Sequence, residues 1–211
     1  MDWIHKLVEL FLHLDKHLNA VIQDYGVWTY AILFLIIFCE TGLVVTPILP
    51  GDSLLFAAGA LSATGPLSPV WLVVLLAGAA ILGDTVNYWI GHFFGAKLAG
   101  KYPRVIKPEY LAKTHAFYEK YGGETIILCR FVPIVRTFAP FVAGIGSMTY
   151  GRFILYNIMG GVIWVVLFIL GGFWFGRLEF VQKNFGFVEL VIIILSVMPM
   201  VIEFLRARKE V

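Results

Sequence analysis

Residues 40–55 read ETGLVVTPILPGDSLL. The run places two carboxylates, Glu40 and Asp52, and three backbone breakers, Pro47, Pro50 and Gly51, inside an apolar part of the chain. A continuous membrane helix tolerates neither. An ionisable side chain at the bilayer centre costs about 2.5–3.5 kcal/mol on insertion scales. Irregular backbone at that depth survives only where protein or a water-filled cavity satisfies it. The stretch therefore predicts a hairpin that enters the membrane and returns, with its acids lining a polar site.

A second stretch has the same construction and the opposite charge. RFVPIVRTFAPFVAG, residues 130–144, carries the breakers Pro133 and Pro140 together with Arg130 and Arg136. Its surroundings repeat those of the first. IIFCET (36–41) aligns with IILCRF (126–131), FAAG (56–59) with FVAG (141–144), and GHFFGAKL (91–98) with GFWFGRL (172–178). This alignment sets Glu40 against Arg130, and it puts Asp52 and Arg136 at similar distances before their Ala-Gly pairs. One half supplies acids and the other arginines. Four such groups would cost roughly 10 kcal/mol if unpaired, so they are expected to meet. Arginine forks and half-helix N-termini at that depth favour an anion, phosphate above all.

The rest of the 211-residue chain supplies the membrane context. It is 60% hydrophobic and 14% charged, with a mean hydropathy of +0.85, whereas soluble domains are about half apolar and a quarter charged. A net charge of +2 argues against nucleic-acid binding. Cys39 and Cys129 lie in apolar segments without CxxC or metal-type spacing, so no disulfide framework, metal or cofactor is expected. There is no nucleophile elbow and no HExxH, and PGD (50–52) and LGD (82–84) lack the GxGD pattern of intramembrane aspartyl proteases. The chain is not expected to be an enzyme.

Residues 1–24 carry acids through the region a signal peptide keeps apolar. They predict an amphipathic helix on the membrane surface or on the protein's own soluble side. Residues 27–63 predict a short helix and the first hairpin, 70–95 a span, 97–121 a basic segment, 125–148 the second hairpin, and 153–176 and 187–205 two more spans. All belong to one membrane domain, 1–211. Basic segments stay cytoplasmic, so the 97–121 segment and the tail with Arg206, Arg208 and Lys209 lie inside. The two hairpins then enter from opposite faces, and both termini are cytoplasmic. The predicted fold is all-α: an inverted-topology repeat of the secondary-transporter kind, with two re-entrant hairpins and three to four spanning helices. Asp84, in GDTVNYW, is a third intramembrane acid, either a proton carrier or a residue at a wet helix end. The pairs Gly91/Gly95 and Gly172/Gly176 predict close helix packing, within the chain or in a homo-oligomer, and Asn157 and Trp164 are read as packing residues.

FCETGLVVTPILPGDSLLFAAGAL, GDTVNYWIGHFFG, YEKYGGETIILCRFVPIVRTFAPFVAG and YNIMGGVIW together resemble the bacterial DedA family, within the wider VTT (SNARE-associated) superfamily, over residues 25–203. The resemblance implies an inner-membrane protein with two re-entrant hairpins, linked to the proton-motive force and to the return of undecaprenyl phosphate for envelope synthesis. It carries the family's functional acids to Glu40 and Asp52 and its functional arginines to Arg130 and Arg136. The expected activity is a proton-coupled flippase of an anionic polyprenyl or phospholipid. Arg130 and Arg136 would hold the phosphate, and Glu40, Asp52 and Asp84 would couple protons. The alternatives are a proton-coupled ion or small-solute antiporter and a structural membrane scaffold.

Overall fold

In the computed structural model of the chain, residues 14–43, 51–63, 65, 67–101, 123–146, 148–188, 190–192 and 198 are described. Pro47 and Pro50, most of the 97–121 segment and most of the 187–205 span lie outside the described residues, as does the first part of the 1–24 helix. Among the described residues the secondary structure is helical throughout: α1 (Leu14–Tyr25), α2 (Trp28–Gly42), α3 (Gly51–Ser62), α4 (Pro69–Lys101), α5 (Glu124–Cys129), α6 (Pro133–Ile145), α7 (Tyr150–Phe175) and α8 (Glu179–Lys183). Helix α4 runs on to Lys101, past the start of the basic segment at residue 97. Helices α4 and α7 each contain 26 residues long and apolar enough to cross a membrane.

Apolar side chains face outward and ionisable ones inward. Leu82, Val86, Leu155, Ile158, Met159, Val162, Ile163 and Leu167 are exposed, while Glu40, Asp52, Asp84, Asn87, Arg130, Arg136 and Asn157 are buried. Water would favour the reverse. Lipid favours this arrangement, with apolar side chains outward and ionisable ones turned to the protein interior.

The chain divides into two compact units. One comprises residues 1–34, 49–76 and 165–211, and the other 35–48 and 77–164. Each contains the same helix crossing. In the first unit a Cβ added to Gly59 of α3 would strike the carbonyl oxygen of Ile169 in α7, and one added to Gly172 would strike that of Phe56. In the second, a Cβ on Gly144 of α6 would strike the carbonyl oxygen of Tyr88 in α4, and one on Gly91 that of Phe141. Every struck carbonyl lies three residues before the reciprocal glycine. Gly91 and Gly172, the leading glycines of the two GxxxG pairs, thus pack within the chain, and the internal repeat is a repeat of contacts: the short helix of each half crosses the long helix of the other.

These crossings keep the register in which FAAG aligns with FVAG. Asp52 precedes Gly59 by seven residues, and the residue seven before Gly144 is Thr137, not Arg136. One residue is about 100° of helix rotation, so Asp52 and Arg136 are not equivalent.

Helices α5 and α6 are separated by a turn at residues 130–132, and Pro133 opens α6, where its missing N–H is no loss. Pro140 does not break the chain as expected. It lies inside α6, where it removes only the donor to the Arg136 carbonyl.

Helix α2 touches α4 near both its ends. The backbone N–H of Ser68 donates to Tyr30 Oη at 2.7 Å, which sets the first turn of α2 beside the first residue of α4. At the other end of α2, a Cβ on Gly42 would lie 3.3 Å from Gly83 Cα of α4. At 1.5 Å per residue the 15 residues of α2 extend about 22 Å, short of a full span.

Candidate functional site

The second unit gathers four of the five predicted ionisable residues on three helices and a turn. Glu40 stands near the end of α2, whose uninterrupted apolar sequence carries it inward. Asp84 and Asn87 lie one turn apart on α4, and Arg136 lies in the first turn of α6. Arg130 occupies the turn between α5 and α6, with its backbone N–H bonded to the Ile127 carbonyl at 3.2 Å.

Two arginine–carboxylate pairs result. Arg136 Nη2 donates to Glu40 Oε1, and Arg130 Nη2 donates to Asp84 Oδ2. Glu40 is 1% exposed and Arg130 4%, so each charge relies on its partner in place of solvent. The Arg136 guanidinium also sits over the Trp164 ring, 4.9 Å from its centroid, a cation–π contact that strengthens out of water. Arg130 has a third support: Nη2 donates to Asn157 Oδ1 on α7.

Small residues make room for these contacts. A Cβ on Gly160 would approach Arg130 Cδ to 3.0 Å and Nε to 3.1 Å, and one on Gly161 would meet Ile81 Cγ1 at 3.0 Å. The Gly160–Gly161 step of α7 is therefore the slot in which the Arg130 stem lies. A Cβ on Gly83 would strike Thr41 Oγ1, so the glycine of LGD admits the end of α2 that carries Glu40.

Asparagines complete the polar interior. Asn87 Nδ2 donates to the carbonyls of Thr41 at 3.2 Å and Thr137 at 2.7 Å. Asn157 Nδ2 donates to the Ile81 carbonyl at 3.0 Å and to Thr85 Oγ1 at 3.5 Å. Among the described residues, Asn87 Oδ1 and Arg130 Nε have no hydrogen-bond partner.

Sequence reasoning singled out Glu40, Asp84, Arg130 and Arg136, which the fold brings together. Asp84 is buried against Arg130, not at a wet helix end. Asp52 is buried in the first turn of α3, in the other unit, with Gly51 opening that helix. Asn157 and Trp164, read as packing residues, contact the two arginines. The signal was available: an asparagine and a tryptophan share the otherwise aliphatic YNIMGGVIW, and an amide buried in lipid needs partners.

Comparison with known proteins gives the lineage. The VTT domain family matches residues 49–174. Protein DedA of Escherichia coli K12 is 55% identical over 212 residues, covering 99% of this chain and 97% of that protein. An uncharacterised membrane protein of Mycobacterium tuberculosis is 44% identical over 188 residues, covering 86% and 82%. Inner membrane protein YqjA of Escherichia coli K12 is 34% identical over 149 residues, covering 70% and 68%. No solved structure matches. By near full-length identity and by the domain matched, this chain belongs to the DedA branch of the VTT domain family.

Proposed function

We propose that the chain moves an anionic lipid headgroup, that of undecaprenyl phosphate, across the bacterial inner membrane together with protons. The observation that carries this reading is the pairing of two buried arginines with two buried carboxylates in a fold that turns its apolar residues outward. Guanidinium forks match phosphate as well as carboxylate. A phosphate arriving at the paired charges of the second unit takes over Arg130 and Arg136, while its polyprenyl chain stays in lipid. Glu40 and Asp84 are then left without their counter-charges, which favours their protonation. Asp52 joins this acid set through the family resemblance and its place in the first turn of α3. Departure of the phosphate returns the arginines to the carboxylates and releases the protons.

Buried ion pairs contribute little as adhesives, because desolvation offsets the Coulombic gain. A scaffold of this kind could be held by its glycine crossings alone, so the pairs point to exchange. The test is transbilayer movement of undecaprenyl phosphate in proteoliposomes, with and without an imposed pH gradient. Movement is expected to respond to the gradient and to be lost in Arg130→Ala and Arg136→Ala; Glu40→Gln is expected to lose the response. Movement no faster than in protein-free liposomes, with the protein folded, removes the lipid reading and leaves proton-coupled ion or solute exchange, for which ion flux is the assay.

A further inference from the structure

We propose that Asn87 and Asn157 are positioning residues, each holding one of the two arginine–carboxylate pairs. The inference deepens the proposed function, because it takes those pairs as the working groups of the lipid site. Both asparagines are completely buried, and each is wired to one pair alone.

Asn87 uses its single NH2 group to donate to the carbonyls of Thr41 and Thr137. Thr41 follows Glu40, and Thr137 follows Arg136. One amide on α4 thus ties together the backbone of α2 and α6 immediately beside the two side chains that form the pair. Reversing the amide would turn Oδ1 against two carbonyl oxygens, so the orientation follows from the network.

Asn157 works from the side-chain end. Its Oδ1 accepts from Arg130, and its Nδ2 donates to the carbonyl of Ile81, one turn before Asp84, and to Thr85 Oγ1, beside it. Thr85 Oγ1 itself donates to the Ile81 carbonyl at 2.7 Å. The amide therefore locks Arg130 to the stretch of α4 that carries its carboxylate, while Gly160 and Gly161 leave room for the arginine stem. When a ligand displaces the carboxylates, Asn157 still holds the Arg130 side chain and Asn87 still holds the backbone beside Arg136, because these contacts do not depend on the ion pairs. The two devices differ in chemistry: Asn87 acts as a donor, and Asn157 serves Arg130 as an acceptor.

That difference sets the test. The purified full-length protein in detergent is treated with phenylglyoxal, which modifies arginine, and the rate at each arginine is read by peptide mass spectrometry against the exposed Arg152 and Arg177. A hydrogen bond to a charged group corresponds to about tenfold in protection. Asn157→Leu is expected to raise Arg130 modification by that factor and leave Arg136 unchanged; Asn87→Leu, which loses bonds to neutral carbonyls, is expected to raise Arg136 modification severalfold and leave Arg130 unchanged. Asn157→Asp keeps an acceptor oxygen and is expected to leave Arg130 protected. Asn87→Asp loses the donor, sets a carboxylate against two carbonyls, and is expected to expose Arg136.

Volume filling alone predicts that the two aspartate variants behave alike. That result, or equal exposure of both arginines in either leucine variant, overturns the proposal. Should a leucine variant fail to fold, the near-isosteric aspartate pair carries the comparison. The labelling needs no lipid. The asymmetry without lipid movement by the wild-type protein sinks only the transport reading, and lipid movement without the asymmetry sinks only the positioning role.

Discussion

Arg130 and Arg136 each have a carboxylate partner and a further contact, an amide for Arg130 and an indole ring for Arg136. Removing one member of a buried pair leaves an uncompensated charge and costs about 3–5 kcal/mol, whereas replacing both by apolar residues is often neutral. Asp84→Ala is therefore expected to lower the unfolding free energy in detergent by about that amount. The double variant Asp84→Leu/Arg130→Met is expected to recover most of it while remaining inactive in transport. A double variant as unstable as the single would mean that the pair itself holds the fold. Arg136→Lys keeps the charge but loses the planar fork and its stacking on Trp164. Its transport is expected to fall at least about tenfold, the worth of one charge-assisted bond. Full transport by the lysine variant would show that charge alone suffices. At this scale the sequence made the arginines and acids legible, because four ionisable groups in lipid need a reason. It did not reveal who pairs with whom: Arg130 takes Asp84, on a different helix, and only the packing of α4 against the α5–α6 turn selects it.

The helices show why glycine recurs where it does. Gly59 and Gly172, and again Gly144 and Gly91, let two backbones meet with a carbonyl occupying the place of each missing Cβ. Alanine at any of the four forces the helices apart. Gly78 of α4 and Gly171 of α7 are different, since an added Cβ meets nothing within 4 Å. Gly59→Ala and Gly144→Ala are expected to lower the melting temperature in detergent, whereas Gly78→Ala and Gly171→Ala should hold or raise it, since alanine exceeds glycine by about 0.8–1.0 kcal/mol in helix propensity. Equal effects in the two sets would remove the crossings as the basis of the repeat. The repeat was visible in sequence through FAAG, FVAG and the two GxxxG runs. FAAG against FVAG already sets Asp52 opposite Thr137; what the letters left out is the reciprocal carbonyl contacts that hold this register, because a short apolar match does not say what packs on it. Pro140 misled for a related reason. A proline signals a missing donor, and the surrounding helix can continue past one lost bond.

For the whole molecule, the polar interior and apolar exterior suit lipid as the solvent. The sequence reading took α2 as a short helix ahead of the first hairpin and placed the N-terminus in the cytoplasm. The bond from Ser68 to Tyr30 sets the starts of α2 and α4 together, and the contact of Gly42 with Gly83 ends α2 half-way along its neighbour. An apolar helix of 15 residues falls short of the roughly 20 that a span requires, so its length agrees with an arm that descends and returns through α3. With the lysine-rich 97–121 segment held in the cytoplasm, Val27, Gly65 and Gln182 are expected on the outer face and Arg152 on the inner. All four are exposed. Single Val27→Cys, Gly65→Cys, Gln182→Cys and Arg152→Cys variants, labelled in intact cells with a membrane-impermeant maleimide against the wild-type background of Cys39 and Cys129, are expected to react at the first three positions. The fourth should react only after the membrane is opened. Labelling of Gly65→Cys with protection of Val27→Cys would make α2 a crossing with the N-terminal side in the cytoplasm. The site would then have to open through one hairpin, and the exchange proposed for Glu40 and Arg136 would lose the mirrored access on which alternating exposure of a midplane headgroup depends.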